Sequence, residues 1–130
     1  MLIRPPRRGF GPVFVIGLAL TLTVGGAITL VAQNRRDITV TGRKYSYRAG
    51  DSDVIRVQKD DLVRITFSAE DIPHSFTIDE YRISKRAEPG KPVSFEFRAD
   101  RAGEFAIYCN LTIDERCARD MKGRLVVEGK

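Results

Sequence analysis

Leu62-Val63-Arg64-Ile65-Thr66-Phe67-Ser68 alternates apolar and polar side chains. A period of two puts Val63, Ile65 and Phe67 on one face of a strand and Arg64 and Thr66 on the other, as in a sheet with one buried face. The pattern returns in Val93, Phe95 and Phe97 around Ser94 and Glu96, and again in Phe105, Ile107 and Cys109. Turn formers bound these runs: Ala49-Gly50-Asp51, Lys59-Asp60-Asp61, Glu88-Pro89-Gly90 and Asp100-Arg101-Ala102-Gly103. Strands are expected near residues 38–48, 54–57, 62–68, 74–79, 93–98, 103–109 and 122–128, and no stretch beyond residue 37 keeps a helical period for three turns. Seven short strands in about ninety residues predict an all-β fold, a Greek-key β-sandwich over residues 38–130.

Upstream of the sandwich the pattern changes. Residues 1–12 are basic and broken by Pro5, Pro6, Gly9, Gly11 and Pro12, and then Val13 to Ala32 runs for twenty residues without a charge. That length crosses a hydrocarbon core of about 30 Å as a helix. The expectation is one N-terminal transmembrane helix or signal anchor over 13–32, joined to the domain by a linker at 33–37. A cleaved signal peptide is the alternative, since Gly25-Gly26-Ala27 supplies small residues, although the apolar run continues past them. Arg7-Arg8-Gly9-Phe10 partly matches a twin-arginine export signal without its usual flanks. Three arginines precede the segment and two follow it, which points to a cytoplasmic N-terminus and a periplasmic domain.

The formal charge of +5 in 130 residues comes from the flanks of this segment. Arg4, Arg7, Arg8, Arg35 and Arg36 are five of the 22 Lys and Arg, whereas all 17 Asp and Glu lie from Asp37 onward. Positive charge therefore reports on a membrane, and no nucleic-acid partner is expected.

The chemistry-bearing residues concentrate in Tyr108 to Gly123, which holds both cysteines, Cys109 and Cys117, and then Met121. The one histidine, His74, stands far upstream in Asp71-Ile72-Pro73-His74-Ser75-Phe76. His74 has the parity of Phe76 and Ile78, and Cys109 that of Phe105 and Ile107, so both are expected to point inward at strand ends. Sulfur donors in one loop and an imidazole from a distant strand suit a soft metal. An oxidising compartment leaves a Cys109–Cys117 disulfide open as the rival reading. Met121 also reads as a core filler. Asn110-Leu111-Thr112 fits a glycosylation sequon of the kind that arises by chance, and Asp114, Glu115 and Asp120 read as solvated loop charges. Asp79 and Glu80, neighbours on a strand, would face opposite ways. No nucleophile stands beside a base, and no phosphate-cradling glycine loop occurs, so no enzymatic activity is expected.

Three segments carry a family resemblance: Val40 to Tyr47, Ser68 to Phe76, and Tyr108-Cys109 through Met121-Lys122-Gly123. Together they resemble a cupredoxin, and within that family the copper domain of cytochrome c oxidase subunit II. That domain holds two coppers with two Cys, two His and a Met, its cysteines four residues apart. This chain has one His and spaces its cysteines by eight. The resemblance therefore implies a variant site for one copper ion with His74, Cys109, Cys117 and Met121 as ligands, Cys117 standing where azurin-like loops carry a second histidine. It implies a membrane-anchored electron-transfer protein working with a membrane redox complex or oxidase. A Cu(I) carrier for oxidase assembly and a metal-free, disulfide-bridged interaction module are the alternatives.

Overall fold

The structure, a computed structural model, describes residues 34–129 together with Ile3, Gly9, Gly11, Gly17, Gly25 and Gly26. The chain divides into two units, residues 1–30 and 31–130, and the second is the one described below. The helix expected over 13–32 lies, apart from three isolated glycines, outside the described residues. Among those described, no helix is long and apolar enough to cross a membrane.

The second unit contains nine strands among the described residues: β1 (Arg35–Arg43), β2 (Ser46–Arg48), β3 (Val54–Gln58), β4 (Leu62–Ala69), β5 (His74–Ile78), β6 (Ile83–Ala87), β7 (Val93–Arg98), β8 (Gly103–Tyr108) and β9 (Lys122–Glu128), with one short helix, α1 (Glu115–Asp120). One sheet has the order β2-β1-β4-β7 and the other β3-β9-β8-β5-β6. The pairs β1–β4 and β3–β9 are parallel and the others antiparallel.

The alternation read from the sequence sets the core. Val63, Ile65 and Phe67 of β4 are fully buried against Phe76 and Ile78 of β5, Ile107 of β8 and Leu125 of β9. An aromatic chain ties the two sheets: Phe76 meets Tyr47, Phe67 and Phe95 at centroid distances of 5.9, 5.6 and 5.4 Å. A buried ring of this kind costs about 3–5 kcal/mol to truncate to Ala.

Several elements depart from the expected ones. The strand expected over 38–48 is broken by a turn at Lys44 and Tyr45, giving β1 and β2. The expected linker at 33–37 is partly strand, because Arg35 and Arg36 already pair with Leu62 and Val63 of β4. β6 was not expected. It is an edge strand whose three central residues, Ser84, Lys85 and Arg86, are all exposed, so its composition carries no alternation. Asp79 and Glu80 lie in a 3-10 turn beyond β5. Asp114 is no free loop charge: its carboxylate accepts from the Arg116 backbone N–H at 3.0 Å and caps α1.

Candidate metal centre

Sheet topology brings the four sequence-selected residues to one end of the sandwich. His74 opens β5, Cys109 follows the last residue of β8, and Met121 precedes the first residue of β9. Lys122, the first residue of β9, registers with Tyr108, the last of β8, and beyond that pair Cys109 and Asn110 bond to Ser75, the residue after His74. All four side chains are buried, none more than 1% exposed.

The sulfurs are joined: Cys109 and Cys117 form a disulfide. The loop between them closes through α1, and the Met121 N–H donates to the Cys117 carbonyl at 3.3 Å. Cys109 Sγ also accepts the Ser75 backbone N–H at 3.4 Å, which sets the sulfur beside the residue that follows His74. Ser75 is held from three sides. Its carbonyl accepts from the buried Tyr47 hydroxyl, its Oγ donates to Asn110 Oδ1 at 2.7 Å, and the same Oγ accepts the Asn110 N–H at 2.8 Å. Asn110 Nδ2 in turn donates to Ser84 Oγ at 2.9 Å, so the sequon asparagine is a structural brace. Burial raises the Tyr47 hydroxyl's pKa well above its usual value and keeps it a donor.

His74 is fixed from the other side. Its Nε2 lies 2.7 Å from Asp71 Oδ1, and a carboxylate only accepts, so Nε2 carries the hydrogen. Burial pushes the Asp71 carboxyl up, but the Lys44 and Ile72 N–H groups and His74 outweigh it and hold the group at about 2. In the neutral ring Nδ1 then presents a lone pair, and this atom is buried without a hydrogen-bond partner. An unsatisfied buried acceptor costs about 1–3 kcal/mol. Gly42 allows the close approach of β1: a Cβ there would stand 3.2 Å from His74 Cβ and Cδ2 and 3.1 Å from Phe67 Cζ.

The turn at Lys44 and Tyr45 touches both halves of the site. Lys44 N–H donates to Asp71 Oδ2 at 2.8 Å, and Tyr45 OH donates to Asp114 Oδ2 at 2.8 Å. The Arg116 guanidinium lies over the Tyr45 ring at 4.2 Å. The Tyr45 hydroxyl lowers the Asp114 pKa, and the carboxylate raises that of Tyr45. Sequence reading singled out neither Asp71 nor Tyr45. Asp71 could have been found from its spacing, because a carboxylate three residues before an inward histidine is a natural partner for its outer nitrogen.

The fit to a metal depends on oxidation state. Bonded to each other, the cysteines offer no thiolate, and among the described residues no three or more His, Cys, Asp or Glu side chains stand together as metal ligands. Reduction would free two thiols, and thiol, imidazole and thioether are donor types that suit copper.

A family model for the cupredoxin-like domain matches residues 13–127. The chain belongs to the cupredoxin-like family. Solved cupredoxin folds agree with it. A heme-copper terminal oxidase dimer contains a chain superposing with a TM-score of 0.68 at 17% identity, over 75% of this chain and 66% of that one. This chain thus spans just under two thirds of that oxidase chain. The periplasmic domain of subunit II of cytochrome oxidase of Bradyrhizobium japonicum gives 0.63 at 18% identity, over 73% and 85%. A mixed disulfide intermediate between a thioredoxin-like protein and subunit II of cytochrome c oxidase gives 0.61 at 20% identity, over 73% and 83%. These likenesses establish the all-β sandwich fold. No curated protein matches the sequence.

Proposed function

We propose that this cupredoxin domain binds one copper ion in its reduced form, through His74, Cys109, Cys117 and Met121, and exchanges electrons with a membrane redox complex. The observation that carries this reading is the buried Nδ1 of His74, left without a partner while Asp71 holds Nε2. A structural histidine satisfies both nitrogens; a ligand keeps one free and has the other oriented by a carboxylate. Copper would supply a one-electron couple in a rigid, buried setting. Residues 13–32 would anchor the domain outside the cytoplasmic membrane, as the arginine bias suggests. The domain would carry electrons and catalyse no reaction of its own.

The disulfide favours a second reading, a Cu(I) carrier. Two thiolates that close into a bridge let go of their metal, so oxidation would couple to release. A subunit II domain of cytochrome c oxidase forms a mixed disulfide intermediate with a thioredoxin-like protein.

Copper titration of the reduced full-length chain in detergent, followed by absorption and paramagnetic spectra, tests the proposal. One-to-one binding lost in His74→Ala supports it, and a reversible couple in voltammetry of the loaded protein selects electron transfer over carriage. Absence of stoichiometric binding to the reduced chain refutes both metal readings.

A further inference from the structure

The disulfide is sealed. Cys109 is 0% and Cys117 1% exposed, yet thiol–disulfide exchange needs a thiolate to approach one sulfur along the line of the S–S bond. Cys117 is the buried residue of α1, so the segment from Asp114 to Asp120 is the one whose movement would uncover its sulfur. Its internal ties are short-range: Asp114 caps the Arg116 N–H, and Arg116 and Arg119 pair with Asp120 at 2.9 and 3.0 Å. Apart from the disulfide itself, the side-chain bonds among the described residues that leave this segment for a distant part of the chain all end on Tyr45. Its hydroxyl holds Asp114 at 2.8 Å and its ring receives Arg116 at 4.2 Å. Tyr45 is itself packed on the core and seated in the turn whose Lys44 N–H is fixed by Asp71.

We propose that Tyr45 is a strap that sets how fast a dithiol reductant reaches the Cys109–Cys117 bond. Local opening frees Asp114 and Arg116 from Tyr45, lifts α1 and uncovers the sulfurs, while the rest of the sandwich stays folded. A reductant thiolate then attacks one sulfur, forming a mixed disulfide and expelling the other as thiolate. The reductant's second thiol displaces the first protein sulfur. Two electrons and two protons pass to the cysteines, and the reductant leaves as its own disulfide. The strap acts on the covalent pair alone, so it holds whether or not a metal follows.

The test is the second-order rate of reduction of the full-length chain by dithiothreitol, read by quenching and counting thiols. Tyr45→Phe removes one hydrogen bond and should speed reduction about fivefold. Tyr45→Ala removes the ring contact as well and should speed it about tenfold or more. Arg116→Gln, which keeps the strap's hydroxyl bond, should give about a twofold to fivefold rise and guards against a Tyr45 variant that fails to fold. Val57→Ala, buried at the opposite end where β3 meets Val127, should leave the rate within twofold of wild type. Rates for Tyr45→Ala and Arg116→Gln indistinguishable from wild type overturn the proposal. So does an equal acceleration in Val57→Ala, because reduction would then follow global unfolding.

Discussion

Reducing the Cys109–Cys117 bond should destabilise the domain by an amount that copper then restores, and the cycle separates a structural bridge from a ligand pair. The cross-link joins residues eight apart. On the chain-entropy relation a loop this short constrains the unfolded chain by about 2.6 kcal/mol at 25 °C. For a domain of roughly 100 residues that lowers the melting midpoint by about 13 °C. Free Cu(I) at a hundred times its dissociation constant stabilises the state it binds by about 2.7 kcal/mol, close to the loss. Thermal unfolding of the full-length chain in detergent, followed by circular dichroism, should therefore show three levels: oxidised high, reduced low, reduced with Cu(I) back near the first. The oxidised protein should gain nothing from Cu(I), because its sulfurs have no thiolate to give. Equal stabilisation of oxidised and reduced forms would refute the use of both cysteines as ligands. An unchanged midpoint on reduction would refute the entropic account of the bridge.

Three further outcomes follow from the geometry. Asp71→Ala frees the outer nitrogen of His74 and should weaken Cu(I) binding about 10–100-fold in competition titrations, with Asp71→Asn losing less because its amide oxygen still accepts. Gly42→Ala presses a methyl to 3.2 Å from His74 and 3.1 Å from Phe67; it should cost about 1–3 kcal/mol in urea unfolding and reduce Cu(I) affinity, since the ring must move. Acid should act through Asp71, whose folded pKa of about 2 lies below its ordinary 3.8. A depressed carboxyl contributes stability that is complete above the unfolded value and drains away as pH falls through 3.8 toward 2. Wild type should lose more stability over that window than Asp71→Asn, measured by urea midpoints at successive pH values.

The sandwich was legible where burial is one-sided: Val63, Ile65 and Phe67 in β4 announce their inward face by period alone, whereas β5 is buried along its whole length and Phe76 and Ile78 were read from the apolar side of its alternation. The same parity placed His74 and Cys109 inward, and the structure buries both completely. What escaped has a common cause. β6 exposes Ser84, Lys85 and Arg86 together at a sheet edge, so its strand character comes from pairing with β5 and not from its own pattern. α1 is six residues long, too short for a helical period, although Asp114 as a cap followed by Glu115 in the first turn was a readable signal. Tyr45 was unreadable as a partner of the site because it meets Asp114 across 69 residues, whereas Asp71 stands three residues before His74 and its spacing was a readable signal.

The ties around the site divide into two sets that need not yield together. One set runs through Ser75, whose N–H, carbonyl and hydroxyl engage Cys109, Tyr47 and Asn110, and through Asp71 on His74. None of these bonds is made by Cys117: the Ser75 N–H donates to the Cys109 sulfur, and the others involve neither cysteine. The other set, α1 with Cys117 and Met121 at its end, is held to the first by the covalent bond and by Tyr45. Breaking the bond should therefore leave His74 and Cys109 in place and loosen the Cys117 side. Backbone amide exchange of the reduced protein should rise in residues 113–121 and stay low in β5 and β8, because the hydrogen bonds guarding β5 and β8 belong to the sheet. Exchange that rose equally in β5 would mean that the imidazole's position depends on the bridge, and the division drawn here would fail.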